Sequence, residues 1–215
     1  MKRLTFIPLL LLTACLGGNT AKETAAAAAE PPFFSGGFIY FADAALFTDC
    51  ATAVRLPVSK AGAYIDAETA YLEFEPEMGE AIYVEFRGHI GEQPRMEGEG
   101  NERAFVIDSL IGFDRTRQCP QWVLAGVYDA PLKNGRQVLF LRPDYTFTEA
   151  VYDALTVEPT AEYTGRWWRN AALELVLAAE TPAPDLSVWT IDPTGESLTR
   201  NGAKKPKTFT RSPLR

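Results

Sequence analysis

Residues 82–91 leave this chain the fewest options. Ile82, Val84, Phe86 and Ile90 fall on one side of a two-residue period, and Tyr83, Glu85, Arg87 and His89 on the other. Successive strand residues point to opposite faces, so this pattern predicts a half-buried strand in an antiparallel sheet. Gly88 and Gly91 interrupt it with residues that permit the bulge or sharp bend needed to close a small barrel.

The flanking segments extend the same architecture. Residues 37–52 open as a strand, pass an apolar turn marked by Asp43 and end on Asp49-Cys50. Within them Ile39-Tyr40-Phe41 is apolar on both faces, which predicts burial on both. Residues 54–58 read as another strand, with Pro57 marking an edge or a strand end. Residues 60–74 switch to helical spacing through Ala61, Tyr64, Ile65, Glu68, Tyr71 and Leu72, and Pro76 stops the helix. A polar, Gly-rich loop over residues 93–102 leads to a strand over residues 104–113, with Phe105, Ile107, Ile111 and Phe113 expected on one face. Strands, one helix and more strands suit an OB-type barrel over residues 35–119.

A second segment, residues 121–200, is also β-rich. Strands are expected at residues 122–128, 138–141, 146–151, 165–169, 173–177 and 186–191. Turns at Pro143-Asp144, Asn134-Gly135, Arg169-Asn170 and Thr194-Gly195 fit an up-and-down meander. The fold class is therefore mainly β: an OB-fold barrel with one helix, followed by a second small antiparallel β-barrel or meander. Only one of the adjacent Trp167 and Trp168 can face a core; the other, with Tyr163, is a candidate for lining a groove. Residues 201–215 form a basic tail, suited to anionic lipid headgroups or to solvent.

The N-terminus reads as an export signal. Lys2 and Arg3 precede an apolar run, residues 4–12, which is shorter than the ~20 residues a membrane span requires. Leu12-Thr13-Ala14-Cys15 resembles the bacterial lipobox, which implies a signal peptide over residues 1–14 and acylation of Cys15. Acyl chains on one cysteine anchor a protein through about 0.8 kcal/mol per buried CH₂. Residues 15–34 are then the lipidated cysteine and a tether, with the Ala25–Ala29 run halted by Pro31-Pro32. By resemblance to bacterial sorting signals, Leu16 rather than Asp after the cysteine favours the outer membrane, facing the periplasm or the cell surface. The chain has 21 basic and 28 acidic residues, net −7, and removing Lys2 and Arg3 takes it to −9. Such a body disfavours nucleic acid, whose phosphates are bound largely by Lys and Arg.

With Cys15 acylated, Cys50 and Cys119 remain. In an oxidising compartment two such cysteines are expected to pair; a two-cysteine metal site is the alternative, with ligands scarce. His89 is the single histidine, and with Met78 and Met96 it forms the candidate set for a soft Cu(I) site. Its plainer reading is a surface residue on the polar strand face. The acidic loop Glu97-Gly98-Glu99-Gly100-Asn101-Glu102 lacks EF-hand spacing and reads as solvated. No Gly-x-Ser-x-Gly elbow and no His-Glu-x-x-His motif occurs, so no catalytic residue is assigned and an enzyme is not expected, with an exported enzyme as the remaining alternative.

Gly37-Phe38-Ile39-Tyr40-Phe41-Ala42-Asp43-Ala44-Ala45-Leu46-Phe47-Thr48-Asp49-Cys50-Ala51-Thr52 closely resembles the opening of the C-terminal OB domain of the NlpE family. That family comprises outer-membrane lipoproteins of envelope-stress signalling and copper handling. The likeness continues through residues 64–72, Val84-Glu85-Phe86-Arg87-Gly88-His89-Ile90 and Gln118-Cys119. It implies a Cys50–Cys119 disulfide and a lipid-anchored, non-enzymatic binding or sensing module with an envelope protein as partner. Residues 139–147, 165–167 and 173–175 look like the small barrel that precedes the OB domain in that family; here the order is swapped. The family's Cys-x-x-Cys has no counterpart in residues 128–135, so no cofactor is assigned and copper stands as the alternative ligand.

Overall fold

A computed structural model describes residues 32–182, 185–202 and 206–213. The signal peptide, Cys15, the tether up to residue 31, and Lys204 and Lys205 lie outside the described residues.

The first barrel consists of β1 (Phe33–Phe41), β2 (Ala44–Asp49), β3 (Arg55–Gly62), α1 (Tyr64–Leu72), β4 (Ile82–Pro94) and β5 (Asn101–Asp114). Its strands run β1-β2-β3-β5-β4 and close through a β1–β4 pairing; β3–β5 is parallel and the others antiparallel. With the helix between β3 and β4, this is the OB topology. Apolar residues on alternating positions bring Phe34, Phe47, Phe86 and Phe105 into one ring cluster. Phe47 sits edge-on to Phe86 at 4.9 Å and to Phe105 at 4.8 Å. Gly36 lets β1 and β2 close over Phe47: a Cβ there would lie 2.0 Å from the Thr48 carbonyl oxygen.

Several expectations change. Residues 44–49 form a strand of their own, because Ala42 and Asp43 both take left-handed φ (50° and 62°) and make a two-residue hairpin turn. β1 is buried at Phe33, Phe34 and Phe38, whereas Ile39 and Tyr40 are half-buried and Phe41 is exposed, since the strand runs out beyond the barrel. β1 also starts two residues before the expected domain boundary at 35. Residues 60–62 belong to β3, and α1 buries Tyr64, Ala67 and Tyr71 while Ile65 and Leu72 face solvent. Ile111 is exposed rather than aligned with Phe105 and Ile107. Register shifts at Ser109/Ile107 and Gly112/Leu110 place an extra residue in β5 at Asp108 and at Ile111, and each extra residue flips the strand's parity.

The connector after β5 is pinned to the barrel. Arg115 donates two hydrogen bonds of 2.8 Å to Glu80. Arg117 pairs with Glu85 at 2.6 Å and lies over the Tyr83 ring. Cys119 then forms a disulfide with Cys50 across 69 residues.

The second barrel is an eight-stranded, closed, up-and-down antiparallel barrel. Its strands are β6 (Gly126–Leu132), β7 (Gly135–Leu141), β8 (Thr146–Asp153), β9 (Ala161–Arg169), β10 (Leu175–Thr181), β11 (Asp185–Ile191), β12 (Ser197–Arg200) and β13 (Thr208–Arg211). β13 pairs with β6 and closes the ring. The first strand thus begins at Gly126 rather than at residue 122, and the barrel does not end at residue 200. The region read as a basic tail contributes a strand: Phe209 is fully buried, edge-on to Trp189 at 5.2 Å. One apolar residue between polar ones is a short signal, and the basic composition masked it. Alternating positions fill the interior with Tyr128, Leu139, Phe147, Trp167, Leu177 and Leu198.

Candidate binding groove at the seam of the two barrels

The barrels meet where the start of β1 pairs with the end of β9, Phe33 opposite Arg169. Backbone hydrogen bonds from Leu124 and Ala125 to the Ala51 carbonyl (2.6 and 3.1 Å) add a second fastening beside the disulfide. Between these two points lies a buried polar cluster. Asp49 Oδ2 accepts from the Thr52 backbone N–H (2.9 Å), the Thr52 hydroxyl (3.0 Å) and the Tyr145 hydroxyl (2.9 Å). Arg169 donates to Ser35 Oγ at 2.8 Å and approaches Asp49 Oδ1 at 3.9 Å. Asp49 is 1% exposed and Arg169 7%, so this is a buried ion pair, with Asp49 Oδ1 and Arg169 Nε lacking hydrogen-bond partners among the described residues.

Burial pushes the Asp49 carboxyl above its ordinary value of 3.8, and Arg169, Tyr145 and Thr52 offset only part of that penalty. The Tyr145 phenol is pushed far up by burial and by the Asp49 charge, so it stays protonated and donates. Tyr145 itself holds a left-handed φ of 67° in the turn after β7. A left-handed conformation is costly for a bulky residue and persists where surrounding contacts fix it. Here the ring is held between Phe34 (5.6 Å) and Trp167 (5.2 Å).

Above this cluster runs a groove of about 560 Å³ bounded by both barrels. Phe34, Trp167 and Trp168 give it aromatic walls, and His89, Arg103 and Arg166 bring cationic or titratable groups to it. His89 is exposed, with Nδ1 3.1 Å from Asp108 Oδ2. Asp144 also lines the groove; burial raises its pKa, but hydrogen bonds from the Thr146 backbone and hydroxyl outweigh this and hold it below 3.8. Such a surface suits an occupant with flat or apolar groups and polar edges.

The expected site residues divide as follows. Trp167 is core and Trp168 is half-buried in the groove, as strand alternation requires. Tyr163 lines a different cavity, at the other end of the second barrel. Met78 and Met96 are exposed in separate loops, and neither joins His89 in the groove. Among the described residues no three His, Cys, Asp or Glu side chains converge as a metal site would need. Sequence reasoning missed Asp49, Tyr145 and Arg169 as partners. Their separation in the chain, up to 134 residues for Arg169 and Ser35, leaves no local pattern to read.

The model of the NlpE C-terminal OB domain family matches residues 28–120. No curated protein and no solved structure matches the chain. The matched residues take in the whole first barrel, the Cys50–Cys119 disulfide and the Asp49 side of the seam, while the second barrel lies beyond them. Residues 28–120 thus match the NlpE C-terminal OB domain family, and this OB barrel is followed by an eight-stranded barrel.

Proposed function

We propose that this protein is a lipid-anchored component of the outer membrane, facing the periplasm, that works without catalysis as a binding or sensing module for an envelope protein. The family that its OB domain matches supports an envelope role. The lipobox-like Leu12-Thr13-Ala14-Cys15 supports the anchor. The groove carries the reading: both barrels build it, over a buried seam that fixes their relative placement, as a rigid recognition surface requires. Its lining sets His89, Glu92, Arg103, Asp144 and Arg166 beside aromatic walls, a mixture suited to recognition of a polar-edged partner.

Two measurements test this. Palmitate labelling and membrane fractionation should place the chain in the membrane fraction, with Cys15→Ser releasing it. An unlabelled, soluble parent protein would overturn the anchor. A photo-crosslinking residue at position 168 should give a discrete adduct with an envelope protein in cells, and Arg103→Ala should weaken it. Adducts no stronger than those from exposed Met78 would remove the groove from the reading.

A further inference from the structure

The second barrel is packed at one end only. At the seam end its lumen is filled by Tyr128, Leu141, Trp167 and Trp189. At the far end lie the β6–β7 turn and the β8–β9 connection. There several inward positions turn polar: Gln137, Glu149, Asp185, Ser187 and Arg200 line a cavity of about 230 Å³ together with Tyr163 and the apolar Phe147, Val151, Leu177 and Ala179. Glu149 follows Phe147 by two residues on β8, so strand parity sends it inward, and it is only 8% exposed. A buried carboxylate costs stability that an apolar residue would not. The sequence accepts that cost at one end of a lumen that is apolar at the other.

The charges are ordered. Gln137 bridges two of them, its amide nitrogen donating to Glu149 Oε1 while its carbonyl oxygen accepts from Lys207 Nζ. Arg200 reaches Asp185 at the rim (3.2 Å), where both are more exposed. The cavity lining thus carries one cation, Arg200, two carboxylates and a carboxamide whose two ends lie between opposite charges, Lys207 reaching Gln137 from outside the lining. Burial raises the pKa of Glu149 and lowers that of Lys207, so each is under-compensated by its present neighbours. A ligand that placed an acid group by Arg200 and an ammonium by Glu149 would set a full positive charge where Glu149 now meets the Gln137 dipole. The volume is below the range of drug-sized pockets and suits a compact molecule.

We propose that the far end of the second barrel is a binding cup for a small zwitterion of the amino-acid or dipeptide class, its carboxylate held by Arg200 and its ammonium by Glu149. The site is separate from the seam groove, so it stands or falls apart from the proposed function.

Isothermal titration calorimetry of the full mature chain in detergent tests it, with glycine and L-alanyl-L-alanine as probes and N-acetyl-L-alanine methylamide as the uncharged control. Saturable heat is expected for at least one zwitterion below roughly 10 mM, with the control at least tenfold weaker. Arg200→Ala and Glu149→Gln should each weaken binding tenfold or more, with circular dichroism melting showing that both remain folded. Trp168→Ala, in the groove, should leave it within twofold. No saturable heat for either zwitterion, equal affinity for the blocked control, or two folded cup variants that bind as the parent does would each show that the polar end only plugs itself.

Discussion

Replacing Tyr145 with phenylalanine tests the seam most sharply, because it removes one oxygen and leaves the packing in place. The ring contacts to Phe34 and Trp167 survive. The lost hydroxyl donates to Asp49 Oδ2 at 2.9 Å inside a region with no solvent to replace it. A hydrogen bond to a charged group contributes about 1.5–3 kcal/mol, against about 0.5–1.5 kcal/mol for a neutral pair. We expect a loss of about 2 kcal/mol where Asp49 is ionised, which for a chain of this size lowers Tm by roughly 4–8 °C. Differential scanning calorimetry of parent, Tyr145→Phe, Asp49→Asn and the double variant closes the cycle. In the Asp49→Asn background the same substitution should cost no more than about 1 kcal/mol, because the charge assistance is gone. The pH dependence has a defined sign. Asp49's folded pKa is raised, so its contribution to stability is complete below 3.8 and is lost as pH rises through the folded value. The Tyr145→Phe penalty should therefore grow with pH across that same window. A penalty under about 0.5 kcal/mol that does not grow as pH rises, or one equal in both backgrounds, would refute the claim that this bond holds the barrels together.

The other expectations follow from single features. Cys119→Ser opens a loop of 69 residues and should destabilise the chain by roughly 4 kcal/mol in the chain-entropy treatment, read from urea denaturation of oxidised parent and variant. Gly36→Ala puts a Cβ 2.0 Å from the Thr48 carbonyl oxygen, so β1 and β2 must separate; a cost of at least about 1–3 kcal/mol is expected in the same assay, and a neutral result would contradict the close approach. Glu149 has a raised folded pKa, so its contribution is complete below 4.5 and is lost as pH rises through the folded value. Glu149→Gln should accordingly flatten the stability–pH curve on that side, measured as Tm against pH.

Much of the first barrel was legible in the sequence. The alternation through Ile82, Val84 and Phe86 set a strand and its buried face by itself, because side-chain direction in a strand depends only on parity. The helix around Tyr64 and Tyr71 was visible from its period, whereas the turn expected at Asn134-Gly135 falls one residue earlier, on Lys133-Asn134, with Gly135 already paired to Leu132 in β7. What parity cannot survive is an inserted residue. The bulges at Asp108 and Ile111 reversed it twice within one strand, and only the pairing with β4 reveals that. Closure was equally hidden: β13 has four residues, of which Phe209 alone is buried, and it is a strand because β6 and β12 offer unpaired edges on either side. The site depended on tertiary structure almost entirely. Asp49, Tyr145 and Arg169 carry no shared motif, and their meeting is decided by the β1–β9 contact between two barrels. The sequence by itself determined most of the strands and the one helix, the family likeness of the OB domain and the two cysteines available to pair. The tertiary structure decided which distant polar groups share a buried site, because burial and proximity are properties of the closed barrels and not of any local stretch of chain.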